Sequence, residues 1–436
     1  MRKLFVLRAL IVATTTLGPG TAILTLAAPQ VPATPAAAYA RLKPSLFTIE
    51  IHSGNREAKS SLGSGYLVST DGLIATNYHV VASFVKDPVR NQLRAKSALG
   101  EFPLALVQFD LVNDLALVRA SGVQGKPLVL AEIAPEIGER IISFGNPEGL
   151  GMSLIEGNAN GFATKGVVPR LLLSMPLNSG MSGGPILNSR DQVVGTNVSV
   201  QWLSNSLSFG VPTQALRELL ARPPLAITKA ALLAETNRQI DSFEKKTFDA
   251  LAAALDGESK EPGLVIGGAR SQALPPAFAC WDSRQDYERE GVVKSQYGCD
   301  LQFTPAIEEV GPIASVQLQI EHFSSSQSSY GFYGYLPFHA GSHQQVSPRA
   351  AGDPNLGPPE CASNRVRLGG ETWKMTTCVV AFKESPGFFD MDLVATSLSR
   401  PRESMFVSLS FKGFKMKSAL ELSRRLIENV SWGESR

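Results

Sequence analysis

Charge is scarce in this 436-residue chain: only 18% of residues are Asp, Glu, Lys or Arg, and no long block of like charge occurs. That excludes an acidic or basic disordered tail. Residues 1–40 contain no acid but hold Arg2, Lys3 and Arg8; beyond them 38 basic residues face 39 acidic ones. No basic balance is left to attract nucleic acid. Histidine is rarer still, with five residues, and the four cysteines never form a C-x-x-C pair of the zinc or redox kind. There is no internal repeat, no glycine-rich phosphate loop and no cofactor signature, and long apolar runs are missing after the N-terminus. What is present is 44% hydrophobic residues on a length that predicts two or three domains with at least one large core.

The first forty residues read as an export signal. Met1-Arg2-Lys3 is a positive start, Leu4–Leu17 is mostly apolar, Gly18-Pro19-Gly20 breaks a helix, and Ala38-Tyr39-Ala40 is a small-residue cleavage site. Ala28 is an earlier cleavage point. The competing reading is a retained anchor, since Ala9–Ala28 is a run of 20 uncharged residues. Export predicts a periplasmic or secreted protein with no stable membrane partner unless that segment is kept. The cysteines agree: Cys280, Cys299, Cys361 and Cys378 are even in number and suit two disulfides in an oxidising compartment. Three pairings exist, and short loops favour Cys280–Cys299 with Cys361–Cys378.

Residues 41–222 alternate short β-runs with turn signals. Gly65–Val68 and Leu73–Ala75, joined by Ser69-Thr70-Asp71-Gly72, predict a hairpin. Leu115–Val118, Arg140–Phe144 and Val193–Gly195 continue the pattern, so barrels or a sandwich are expected. A closing helix is expected over Pro212–Arg222. Thr228–Asp256, rich in Ala, Leu, Glu and Lys, predicts a helix capped by Thr228 that could act as a spacer within a linker spanning 223–262. Residues 263–436 carry strand alternation at Val316, Leu318 and Ile320 and at Met405, Val407, Leu409 and Phe411. They end in helical spacing at Ala419, Leu422, Leu426 and Val430. A disulfide-bonded α+β domain is the expectation there.

Chemistry concentrates in three places. Asn178-Ser179-Gly180-Met181-Ser182-Gly183-Gly184-Pro185 is a tight turn around a serine, and a serine hydroxyl becomes a nucleophile only with a base beside it and donors for the oxyanion. Gly180 and Ser182 are the candidate N–H donors. His79 follows an apolar strand, and the other histidine of residues 41–222, His52, alternates with Ile49 and Ile51 and is placed on a solvent face. Asp114 opens the run Leu115–Val118 and is preferred to Asp110 as the carboxylate that orients a histidine. Each feature alone has a structural alternative: a Gly/Ser turn, a core histidine, a turn aspartate. Together they stand in the order His79, Asp114, Ser182, the chain order of chymotrypsin-type enzymes.

With these motifs, residues 41–222 resemble the trypsin-like serine proteases, specifically bacterial export-compartment proteases of the Deg (high-temperature-requirement) type. The matching segments are Lys43-Pro44-Ser45, Gly63-Ser64-Gly65, Thr76–Val81, Asp114–Leu117, Gly145-Asn146-Pro147, Gly180–Pro185 and Phe209–Pro212. The resemblance implies a mainly β fold of two perpendicular six-stranded barrels, His79 and Asp114 on the first and Ser182 on the second. It implies His79 as general base then acid, Asp114 as its orienter, Ser182 as nucleophile and an acyl-enzyme held by the Gly180 and Ser182 N–H groups. Polypeptides would be the substrates, with no metal and no cofactor.

The chain also departs from the pattern. Met181 stands where the family often has Asn, a position where a backbone role tolerates Met. No Ile-Val-Gly-Gly start exists to pair with an acid before the serine, which argues against zymogen activation. Residues 263–436 lack the Gly-Leu-Gly-Phe loop of a PDZ domain, so PDZ regulation and trimer caging are not implied. His322–Gln345 gathers Phe323, Tyr330, Phe332, Tyr333, Tyr335 and Phe338 with His339 and His343. That stretch reads as a hairpin over a β core or as a stacking surface for a peptide or glycan. The rival to a protease is a non-catalytic binding protein on a protease scaffold, with the C-terminal domain as its recognition module. An esterase would use the same triad. Segments near Leu177–Asn178 and Asn197–Val200 would line the specificity pocket, with small or aliphatic side chains preferred.

Overall fold

Strands buried along nearly their whole length, such as Leu46–Ser53, Leu73–Thr76 and Leu115–Ala120, alternate in the first half of the chain with strands such as Asn91–Ser97 that show one face to solvent. The computed structural model describes residues 35–54, 59–163, 166–198, 207–256, 264–266, 269–271, 278–301, 306–307, 311–325, 355–368, 370–400, 402–428 and 431–432. The signal or anchor segment up to residue 34, residues 199–200, and the aromatic stretch from residue 326 with His339 and His343 lie outside these.

Strands β1 (Leu46–Ser53), β2 (Lys59–Leu67), β3 (Leu73–Thr76), β4 (Asn91–Ser97), β5 (Gly100–Asp110) and β6 (Leu115–Ala120) form a closed barrel in the order β1-β2-β3-β6-β5-β4. The predicted hairpin is there: Tyr66 pairs with Ala75 and Leu67 with Ile74. Its turn needs Gly72, whose φ is +83° and whose Cβ would fall 2.1 Å from the Ala120 carbonyl oxygen.

β7 (Val129–Leu130), β8 (Arg140–Gly145), β9 (Ser153–Phe162), β10 (Leu171–Ser174), β11 (Pro185–Leu187), β12 (Gln192–Val198) and β13 (Ser208–Pro212) make the second unit. Six of them run in the order β11-β8-β9-β10-β13-β12 and close through β11–β12, while β7 lies parallel to β12 at the edge. Ile141, Leu171, Leu173 and Ile186 fill this barrel. Between the barrels Tyr66, Ala75, Leu115 and Leu117 pack against Phe144, Leu187 and Val211. The Tyr66 hydroxyl crosses the seam to Thr196 Oγ1 at 2.8 Å, and full burial pushes its pKa well above the ordinary tyrosine value.

Helix α1 (Pro35–Leu42) packs on the second barrel, with Ala38 buried and the Tyr39 ring stacked on Phe144 at 6.1 Å between centroids. The predicted cleavage point after Ala40 falls inside this helix. Helix α2 (Tyr78–Lys86) follows β3, and α3 (Thr213–Leu220) closes the barrels within the predicted range.

Helix α4 (Lys229–Asp256) begins where Thr228 Oγ1 accepts the Ala231 N–H at 3.2 Å. It is no free spacer. Its apolar stripe of Leu232, Ile240, Phe243, Leu251 and Leu255 is buried in a core that runs from the first barrel into the C-terminal region. There β14 (Phe278–Tyr287), β15 (Val292–Leu301), β16 (Ser315–Ser325), β17 (Glu360–Leu368), β18 (Glu371–Ala381), β19 (Phe388–Ser397) and β20 (Glu403–Lys415) form an antiparallel sheet in the order β14-β15-β16-β20-β19-β18-β17. Helix α5 (Met416–Glu428) returns across β19 and β20 and meets α4, giving the α+β layering expected from the sequence. The disulfides are Cys280–Cys299 and Cys361–Cys378. Each staples an outer strand, β14 or β17, to its inward neighbour at paired positions.

Candidate active site

His79 sits in the first turn of α2, directly after Asn77 and Tyr78. Asn77 occupies the N-cap position but makes no capping bond with its side chain; its Nδ2 donates to the Asp114 carbonyl oxygen at 2.7 Å. The Asp114 carboxylate takes over instead. Its Oδ1 accepts the His79 main-chain N–H at 3.0 Å and its Oδ2 lies 2.8 Å from His79 Nδ1. A negative group at a helix N-terminus is favoured by the first-turn N–H groups and the helix dipole. A carboxylate only accepts, so the contact places the proton on Nδ1 and leaves Nε2 as the basic nitrogen. Asp114 reaches this position from a turn in which its own φ is +60°, an uncommon conformation for a residue with a side chain.

Ser182 lies on the segment joining β10 to β11, which crosses to the first barrel. Ser64 of β2 is the hub of that crossing. Its N–H donates to the Ser182 carbonyl oxygen at 2.7 Å and its hydroxyl to the Gly180 carbonyl oxygen at 2.7 Å. The same hydroxyl accepts the Asn146 N–H at 2.9 Å, and the Ser64 carbonyl oxygen accepts the Thr76 hydroxyl at 2.7 Å. The approach is close enough to demand glycine: at Gly183, φ +85°, a Cβ would lie 2.2 Å from Ser64 O, 2.4 Å from Thr76 Oγ1 and 3.0 Å from Asn77 N. The serine turn therefore rests on residues 76–77, just before His79.

The peptide planes around Ser182 are fixed by their carbonyls. Ser179 O accepts the Glu148 N–H at 2.9 Å, and Met181 O accepts the Gly184 N–H at 3.1 Å and Asn197 Nδ2 at 3.2 Å. In a trans peptide the N–H points opposite to the C=O. The Gly180 and Ser182 N–H groups are thus turned away from Glu148 and Asn197. Asn197 is fully buried; its Oδ1 accepts the Ser143 hydroxyl at 2.8 Å and its Nδ2 also reaches Phe144 O at 3.0 Å.

Residues 63–195 match the sequence model of the trypsin-like peptidase domain. This segment is a trypsin-like peptidase domain. Among curated proteins the chain is 30% identical over 238 residues to a probable periplasmic serine endoprotease, DegP-like, of Ectopseudomonas mendocina, covering 49% of this chain and 48% of that protein. A protein of the same description from Pseudomonas putida is 34% identical over 172 residues, covering 36% of this chain and 33% of its own length. The chain spans about half the length of the curated relatives it matches or less. Among solved structures, a serine endoprotease from Yersinia pestis is 24% identical, covers 44% of this chain and 66% of its own, and superposes with a TM-score of 0.38.

Several residues that organise the peptidase domain's site were missed as functional in the sequence. Ser64 and Asn146 stood only as motif letters, and Asn197 only as a pocket-wall position. Nothing in the sequence marks Arg170. Its guanidinium is buried, which pushes its pKa down, while the Asp114 and Asp110 carboxylates pull it back up. This cation enters from the second barrel, on the segment before β10. The turn at Asp114, on the first barrel, therefore faces a cation from the second. Of the predicted pocket segments, Leu177 is tied by its N–H to Ser208 Oγ at 3.1 Å. Among the described residues no cluster of three His, Cys, Asp or Glu side chains could hold a metal ion, and no helix is long and apolar enough to cross a membrane.

Proposed function

We propose that this protein is an exported serine endopeptidase acting through an acyl-enzyme, with His79, Asp114 and Ser182 as its triad. The observation that carries the reading is the double grip of Asp114 on His79, on a first barrel to which the Ser182 turn is tied through Ser64. Ser182 Oγ attacks the scissile carbonyl carbon while His79 Nε2 takes the hydroxyl proton. The Gly180 and Ser182 N–H groups, with their carbonyls committed elsewhere, receive the oxyanion. The tetrahedral adduct collapses, the C–N bond breaks, and His79 returns the proton to the departing amine. Water, deprotonated by His79, then attacks the ester, and Ser182 regains its proton as the acid leaves.

Polypeptides are the proposed substrates, cleaved next to small or aliphatic side chains. Residues 41–222 form the protease domain, 223–262 the connection and 263–436 an α+β domain. The periplasm or the exterior is the proposed compartment, supported by the two disulfides and by the periplasmic names of the curated relatives.

A fluorophosphonate reacts only with a serine already activated by its base. Labelling of the purified protein that disappears in Ser182→Ala and in His79→Ala is the expected result. Absence of labelling in the folded wild-type chain overturns the reading in favour of a binding scaffold, and labelling that survives Ser182→Ala overturns Ser182 as the nucleophile.

A further inference from the structure

Strand β5 is longer than its neighbour. β4 pairs with it only over residues 100–104, so the outer edge of residues 105–110 has no strand beside it. Val107 is half-buried and Phe109 and Leu111 are buried, so main-chain groups there must find partners elsewhere. Those partners come from the chain after the barrels. The Leu225 N–H donates to Val107 O at 2.9 Å. Two residues on, Gln239 Nε2 of α4 donates to Phe109 O at 3.0 Å, and two further on, the Leu111 N–H donates to Gln239 Oε1 at 2.7 Å. A single carboxamide thus gives one edge the donor and the acceptor that a residue of a neighbouring strand would supply. Phe109 and Leu111 are both almost fully buried, and Gln239 itself is 4% exposed, so water does not substitute for it.

Immediately after Leu111 the chain makes the turn that presents Asp114. Asp110 braces it from inside: its carboxylate accepts the Asn113 N–H at 2.8 Å and Arg222 Nη2 at 2.7 Å. Because Asp114 has a φ of +60°, its turn depends on such external ties to hold the carboxylate over His79. The helix supplying Gln239 also packs along α2, whose first turn carries His79. Behind it stands the C-terminal domain: Ser385 Oγ donates to Asn237 Oδ1 at 2.6 Å, and Arg425 pairs with Asp256 at 2.7 Å.

We propose that Gln239 is a positioning residue for Asp114, standing in for a missing strand at the end of β5. The helix α4 and the C-terminal domain that backs it then serve as a built-in brace of the catalytic geometry, not as a tethered appendage. The proposal rests on the reading of Asp114 as the orienter of His79. Its physical content is that loosening the turn weakens the Asp114–His79 contact, so the imidazolium is less stabilised and proton transfer slows.

The test compares full-length Gln239→Met, which keeps the shape and loses the bonds to Phe109 and Leu111 together with the Nε2 donation to Glu235 Oε1 at 2.7 Å, with wild type and with Asp114→Asn. Fluorophosphonate labelling rates are followed from pH 5 to 9, alongside kcat and KM on a casein-derived peptide. Gln239→Met is expected to lower the plateau rate constant and kcat by roughly tenfold, to leave KM nearly unchanged, and to move the acidic limb of the profile to lower pH. A merely structural role would reduce the fraction of molecules labelled and leave the rate constant and limb where they are; that result overturns the proposal. Asp114→Asn separates the two levels, because wild-type rates in that variant would remove the catalytic reading itself. Should Gln239→Met not fold, Gln239→Leu, which also removes the carboxamide without adding a charge, is read in the same way.

Discussion

Asp114 holds His79 twice, by the main-chain N–H at 3.0 Å and by ring Nδ1 at 2.8 Å. One carboxylate therefore caps a helix and sets a tautomer. The two functions cannot be separated by sequence distance, because the residue that caps α2 comes from the turn between β5 and β6. Placing the acid at the helix N-terminus also orients the ring, since the side chain of a first-turn residue moves with its own N–H.

Replacing Gly183 by Ala should remove activity without touching any member of the proposed triad. The added Cβ meets backbone and the Thr76 hydroxyl at 2.2–2.4 Å, and the φ of +85° strains any side-chain residue by about 1–3 kcal/mol. The serine turn must then lift from Ser64. Fluorophosphonate labelling is expected to fall at least tenfold, roughly 1.4 kcal/mol in the barrier, and wild-type labelling would contradict the close-approach account.

Asn197→Ala tests the peptide-plane account. The change leaves Met181 O, Phe144 O and the Ser143 hydroxyl each short of a buried hydrogen bond, at a cost of about 1–3 kcal/mol of stability. If Met181 O aims the Ser182 N–H, kcat should drop by about one to two orders of magnitude with KM little changed. An unchanged kcat at lowered Tm would mean that Asn197 is structural alone.

His322 predicts an acid limb to the stability of the C-terminal domain. It is 1% exposed, and burial pushes its pKa below the ordinary 6.5, opposed by Glu403 and reinforced by Arg400. The unfolded chain then binds the proton more tightly than the folded one. Stability is fully present above pH 6.5 and is lost as the pH falls below it, until the folded residue also titrates. Thermal melts between pH 7.5 and 5 should show a decline in Tm that His322→Leu flattens; parallel curves for the two proteins would refute the assignment.

The mature N-terminus should lie at or before Pro35. Cutting after Ala40 strips Ala38 and Tyr39 from the second barrel and uncovers Phe144, and a cut beyond Arg41 would also break its ion pair with Asp191. Cleavage after Ala28 keeps the helix whole. Intact-mass measurement of exported protein is expected to show a start between residues 29 and 35, and a start at Arg41 would show that the barrel does without this helix.

Much of the architecture was legible because it rests on local signals. The hairpin at Ser69–Gly72 follows from a turn sequence with glycine where φ must be positive. The α4 helix follows from its composition and its threonine cap. The sequential cysteine pairs follow from strands joined by short connections. The spacer role expected of α4 was not legible as a contact, since an amphipathic stripe states that a helix will be covered but not by what. Ser64, Asn146 and Gln239 were silent for a related reason: a polar side chain that satisfies a partner more than eighty residues away leaves no periodicity behind.

By itself, then, the sequence determined which residue types are available for chemistry and which stretches become strand or helix, because propensity, turn geometry and apolar spacing act within a few residues. Tertiary structure decided what those residues face. The two barrels meet with Ser64 against the serine turn, Asn197 sets the peptide planes beside Ser182, and Gln239 completes an edge that no strand reaches. These are matters of buried hydrogen-bond satisfaction, and a buried donor finds its acceptor by proximity in the folded core, whatever its distance along the chain.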